Sequence, residues 1–106
     1  MLVKRQMEIE WIEAGVPGVQ TAILWGTKQG DGAHLTRFAA NARAPRHSHV
    51  GAWEQIYVVQ GRLNLGGIDI RTGDTVYSQG DDEHDAVALE DTVVLVTHHG
   101  GTQPLE

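Results

Sequence analysis

The sequence predicts an all-β domain, a sandwich or a barrel, and three observations carry that prediction. Short runs rich in Val, Ile, Thr, Tyr and Trp recur along the chain, as strands prefer. Thirteen glycines punctuate those runs and mark turns between them. No segment carries a sustained apolar stripe of helical period with caps at its ends. Many short strands at regular spacing are the pattern of a closed or two-layered β fold.

Taken in order, strands are predicted over residues 7–12, 20–25, 33–39, 53–60, 62–65, 68–71, 75–78, 85–89 and 92–97. Gly66-Gly67 between Leu65 and Ile68 is a two-residue hairpin signal, because both central positions can take positive φ. Gly61 separates two strand-like runs, and Thr72-Gly73-Asp74 makes a further turn. Residues 15–18 and 27–32 read as loops. With 106 residues and no linker, repeat or low-complexity tract, the chain is expected to form one domain.

Composition narrows the function. Hydrophobic residues make up 41% and charged residues 21%, as in ordinary globular proteins. Cysteine is absent, so any metal must bind through His and carboxylate. A formal net charge of -6 without a basic cluster argues against nucleic acid or an anionic membrane surface as partner. No run approaches the ~18 apolar residues that span a bilayer. Residues 1–11 lack the apolar core of a secretory signal, so a cytoplasmic location is expected.

Four side chains then stand out. His47 and His49 are one residue apart, and positions i and i+2 of a strand share a face. Glu54 opens the next apolar run and His84 a later one. Ionisable groups at strand starts are costly to bury singly, and a shared metal ion would explain all four. Three imidazoles and one carboxylate form a borderline N/O donor set suited to Fe(II), Mn(II), Ni(II), Co(II) or Zn(II). In a six-coordinate ion, two positions would stay open for substrate, water or O₂.

The spacing of these residues resembles the cupin superfamily. The stretch Pro45-Arg-His-Ser-His-Val-Gly-Ala-Trp-Glu-Gln-Ile-Tyr-Val-Val-Gln-Gly61 is similar to the first cupin motif. Gly73-Asp-Thr-Val-Tyr-Ser-Gln-Gly-Asp-Asp-Glu-His84 is similar to the second. The resemblance implies a cupin-type double-stranded β-helix, or jelly-roll barrel, as a single domain over 1–106. Motif 1 would occupy about 41–61 and motif 2 about 73–88. It makes His47, His49, Glu54 and His84 the ligands of one divalent transition metal per chain. Asn41 stands where the first motif usually begins with Gly, and Asn tolerates the left-handed backbone such a turn needs.

Other residues carry expectations too. His34 or Arg37 could line the pocket, where Arg37 would recognise a carboxylate or enolate, but both are expected to face solvent. At most one of His98 and His99 can face inward, and the pair is expected to belong to a turn leading into Gly100-Gly101. Trp53 and Tyr57, on the face opposite Glu54, could cover a second sheet or a dimer interface, but are expected in the core. The acidic residues 81–83 read as a solvated turn. Gln55 is the reserve ligand, if a bulge swaps its direction with that of Glu54.

The functional expectation is a metal-dependent enzyme acting on a small oxygenated molecule, of dioxygenase, isomerase or lyase type, oxidoreductase chemistry included. No Ser-His-Asp arrangement or nucleophilic Cys suggests covalent catalysis. The alternative is a non-catalytic module that binds or senses a metal or small ligand. A homodimer is expected, formed by edge pairing through residues 7–12.

Overall fold

Gly66 and Gly67 both take positive φ, 57° and 88°, and close a two-residue hairpin between β5 (Arg62–Leu65) and β6 (Ile68–Arg71). Mirror-image turn geometry suits the right-handed twist of the flanking strands, and glycine reaches it without steric cost. This hairpin belongs to a nine-stranded antiparallel assembly in a computed structural model of the chain. The structure describes residues 1–100 and 103–104, except for the side chains of 45–50, 80–83 and 103–104.

The remaining strands are β1 (Ile12–Glu13), β2 (Val19–Gly26), β3 (Gly32–Phe38), β4 (Arg43–Gln60), β7 (Thr75–Ala88), β8 (Thr92–His99) and β9 (Gln103–Pro104). Their order is β1-β2-β3-β8-β4-β7-β5-β6, with β9 beside β4. The jelly-roll expectation holds, and its framework is the long β4, which pairs with both β7 and β8. No helix is long and apolar enough to cross a membrane among the described residues.

Two predicted elements differ. The strand expected over 7–12 is instead a 3₁₀ turn, Gln6–Glu8, with only Ile12–Glu13 extended and paired to β2. Its apolar residues Met7 and Ile12 are exposed, so no buried face holds that run in a sheet. Conversely, the runs at 75–78 and 85–89 are parts of one strand, β7. Ladder bonds to β4 continue through the polar stretch between them, with register shifts around His47 and His49. Backbone pairing needs no apolar side chain, so the hydrophobic pattern cannot reveal that continuity.

The core follows strand alternation. Ile56 and Val58 of β4, Leu63 and Leu65 of β5, Ala86 and Ala88 of β7, and Val94 and Val96 of β8 are all buried in one cluster. Gly61 links β4 to β5 with φ 112°, and a Cβ there would lie 2.6 Å from the Asp91 carbonyl oxygen and collide with Thr92 Oγ1. Thr92 fills that space while its hydroxyl accepts a hydrogen bond from the Arg62 amide at 3.1 Å and donates one to the Glu90 carbonyl at 2.8 Å. Asn41 takes φ 71°, as its place in the turn before β4 requires.

Candidate metal centre

Glu54 is the carboxylate that β4 turns inward. Its cross-strand partners are Ser78 on β7 and His98 on β8. It is 7% exposed and shares its face with buried Ile56 and Val58. Gln55 points outward, where its amide bonds Thr75 Oγ1 and accepts from Thr97 Oγ1, both at 3.3 Å. The register runs unbroken from Trp53 to Tyr57 against β7, so no bulge exchanges the two side chains. Gln55 is thereby removed as reserve ligand.

His84 enters from β7. It is 8% exposed, and its Nε2 lies 3.3 Å from Glu54 Oε1. The separation can be tested against metal chemistry. Two donors, each about 2.0–2.2 Å from one ion at angles between octahedral and tetrahedral, stand roughly 2.8–3.6 Å apart. The pair fits. Ser78 Oγ is also buried beside Glu54 and has no hydrogen-bond partner among the described residues. A buried hydroxyl left unpaired is costly, and a bound polar group would satisfy it.

His47 and His49 belong by backbone to β4, where His47 is registered opposite His84 and His49 opposite Gly80. Their side chains lie outside the described residues. Among the described residues, no group of three or more His, Asp or Glu side chains gathers as a metal site.

The interior holds two further imidazoles that sequence reasoning placed elsewhere. His34 on β3 is not solvent-facing. It is half-buried, and its ring lies 5.6 Å from that of His98. Burial lowers the His34 pKa below the ordinary value of 6.5, His98 lowers it further, and the Glu54 charge partly opposes both. His98 is not a turn residue but a strand position, registered between Glu54 and Gly32. His99 points the other way and pairs with the Asp31 carboxylate. Strand alternation allows one inward residue in each case, but it does not say which face is the interior. His98 shares the alternation of buried Val94 and Val96, and His34 that of buried Phe38. Arg37 does face outward as expected, over the Trp11 ring at 4.2 Å.

Trp53 and Tyr57 also differ from expectation. They stand on the outer face at 37% and 44% exposure, with the Trp53 ring 6.1 Å from that of Tyr77. The face opposite Glu54 is the outside of the barrel, and no second layer covers it among the described residues. A cavity of about 240 Å³ reaches Ser78 and His84 beside the β5–β6 hairpin. A larger one, about 460 Å³, lies among Gln20, Arg37, Gln60 and Asp91 and contains none of the four ligand candidates. Cavity size alone does not single out the Glu54–His84 pair.

The family model of the ChrR cupin-like domain matches residues 1–103. The chain belongs to the ChrR cupin-like domain family. Among solved structures, KdgF from Halomonas sp. is 28% identical, with a TM-score of 0.81 over 92% of this chain and 91% of that one. The anti-sigma ChrR of Rhodobacter sphaeroides, solved in complex with SigE, is 27% identical with a TM-score of 0.75. That match covers 90% of this chain and 50% of the other, so this cupin domain corresponds to about half of that protein. An RmlC-like cupin from Shewanella frigidimarina, 20% identical with a TM-score of 0.80 over 92% of this chain and 89% of its own, shares the fold. No curated protein sequence matches the chain.

Proposed function

We propose that this cupin domain holds one divalent transition metal through His47, His49, Glu54 and His84, and that the metal centre receives a small oxygenated molecule. The observation carrying this reading is the buried contact of 3.3 Å between Glu54 Oε1 and His84 Nε2, the spacing of two donors to one ion. When bound, such an ion supplies Lewis-acid polarisation or, if redox-active, a site for O₂ chemistry. The leading form is enzymatic, of dioxygenase, isomerase or lyase type. The chain's own part is to exclude water around Glu54 and His84 with Ile56, Leu65 and Ala86, and to keep Ser78 Oγ available as a polar contact.

The test begins with metal content. Protein purified without chelators should carry near-stoichiometric Fe, Mn, Ni, Co or Zn, and His84→Ala should lose it. Wild-type protein that carries none of these and cannot be loaded with them overturns the reading. Turnover is then assayed across diketones, catechols, keto acids and sugars, with O₂ uptake reporting a dioxygenase.

The family match favours a second reading, in which the domain binds a metal or small ligand and reports it to a partner. The ChrR structure is described as that of an anti-sigma protein bound to SigE. Metal loading without turnover of any compound in that panel would select this reading over the enzyme.

A homodimer forms part of the proposal, with its contact moved from the N-terminal run to the outer sheet. Trp53, Tyr57 and Tyr77 expose 37%, 44% and 59% of their surface on one face of β4 and β7. Light scattering at micromolar concentration should give twice the chain mass for wild type and the monomer mass for Tyr57→Glu. A wild-type monomer refutes the dimer.

A further inference from the structure

Two tryptophans and a carboxylate border one cleft at the rim where β2 turns into β3. It encloses about 370 Å³ and is walled by Trp25, Asp31, Trp53 and His99. Glu54, Ser78 and His84 do not line it, so the cleft is separate from the candidate metal centre. Trp25 follows the register shift after Ile23 and aligns with Ala33 of β3, which aligns in turn with Thr97 of β8. The single methyl of Ala33 leaves the floor low between those taller neighbours. Trp25 is 45% exposed, and its ring meets no other ring among the described residues.

The opposite wall is built from fixed parts. The Trp53 ring lies 6.2 Å from that of His99, with 25° between their planes, and meets Tyr77 of β7 as well. His99 Nδ1 bonds the Asp31 carboxylate. The β2–β3 loop holds Asp31 in turn. Its amide donates to Thr27 Oγ1 at 3.2 Å, and its carbonyl accepts from the Thr27 amide at 2.8 Å. A carboxylate that accepts one N–H keeps lone pairs for a further partner. Among the described residues, no Lys or Arg borders the cleft. Indole faces are negative and so is the carboxylate, so the cleft attracts a cation and repels an anion.

We propose that the cleft between Trp25 and Trp53 binds a small organic cation through a quaternary or methylated ammonium group, seated on the Trp25 ring and beside the Asp31 carboxylate. The methyl groups bury apolar surface against indole carbons. A bare ammonium is strongly hydrated and gains less. The inference does not depend on a metal at Glu54 and His84. The cleft shares Trp53 with the outer aromatic patch of the proposed dimer, whereas Trp25 and the loop carrying Asp31 lie across β8 from that patch.

The experiment uses the intact chain at about pH 8, where an ordinary imidazole is neutral. Choline and its uncharged carbon isostere, 3,3-dimethylbutan-1-ol, are the probes, titrated by calorimetry and tryptophan fluorescence. They differ in charge and hardly in shape, so their affinity ratio separates electrostatics from burial. Wild type should favour choline at least about tenfold. Trp25→Leu keeps an apolar side chain and removes the ring, so the ratio should fall about fivefold. Asp31→Asn keeps an acceptor for His99 and should weaken choline about threefold while leaving the alcohol unchanged. EDTA should leave the ratio as it is. Proton NMR of the wild type needs no folded variant, since the choline methyls should show contacts to the Trp25 and Trp53 indoles.

Equal affinity for the two probes in wild type, an unchanged ratio in Trp25→Leu, methyl contacts to Trp11 in place of Trp25, or no choline binding at millimolar concentration overturns the proposal. A preference for choline that EDTA abolishes overturns it too, because the cation would then depend on the metal centre. Wild-type protein without metal that still shows the Trp25-dependent ratio supports the proposal while refuting the metal reading.

Discussion

Glu54 on β4 and His84 on β7 are remote in sequence, yet Oε1 and Nε2 stand 3.3 Å apart inside the barrel. Both side chains are nine-tenths buried. Placing a carboxylate and an imidazole together out of water is expensive unless something further is bound between them. On the proposed metal-binding reading, the contact sets up a contrast between the metal-free and the metal-loaded protein.

Glu54→Gln keeps the shape of the side chain and removes the charge. Metal affinity should fall at least about 100-fold, since even groups that only orient a ligand are worth 10–100-fold. Metal at 100 times its dissociation constant should stabilise wild type by about 2.7 kcal/mol, and EDTA should remove that increment. Melting curves with and without EDTA should coincide for Glu54→Gln. A variant that still gains stability from metal would exclude Glu54 as a ligand.

Leu63 sits at the centre of the core with almost no exposure. Leu63→Ala should cost about 2–5 kcal/mol from lost transfer energy and the residual cavity. Against a typical domain stability of about 5–15 kcal/mol, that is a large share. Urea denaturation measures it, and a change below about 1 kcal/mol would mean the site collapses around the truncation.

Two glycines with positive φ should respond differently to alanine. At Gly61 the new Cβ meets Thr92 and the Asp91 carbonyl, whereas at Gly67 nothing lies within 4 Å. Gly61→Ala should cost about 3 kcal/mol, because overpacking is added to backbone strain. Gly67→Ala should cost about 1 kcal/mol from the left-handed backbone alone. Equal losses on denaturation would show that strain, not contact, dominates both.

His34 gives a pH dependence with a definite sign. Burial, then His98, lowers its folded pKa below 6.5, so the unfolded chain binds a proton that the folded one resists. Its contribution to stability is present above pH 6.5 and is lost as pH falls from there toward the lowered folded value. The slope is at most about 1.4 kcal/mol per pH unit. His34→Gln should flatten the stability profile between neutral and mildly acidic pH, as read by chemical denaturation. An unchanged profile would place the titration elsewhere.

How much was legible in the sequence depended on whether the signal was local. The Gly66-Gly67 hairpin, the strands Arg62–Leu65 and Ile68–Arg71, and the inward direction of Glu54 all follow from turn chemistry and alternation within a few residues. The run at 7–12 failed because strand-like composition does not make a strand when no face is buried. Trp53 and Tyr57 were misplaced because alternation separates two faces without saying which one a second layer covers.

By itself, the sequence determined the β class, the barrel family and the donor types available, since those rest on residue identity and short-range spacing. Only the tertiary structure decided that β7 is one strand, that Gln55 faces out, and that His34 and His98 join Glu54 indoors. Each of those outcomes depends on cross-strand register, which pairs residues distant in the chain. Backbone hydrogen bonds set that register without regard to which side chains they bring together.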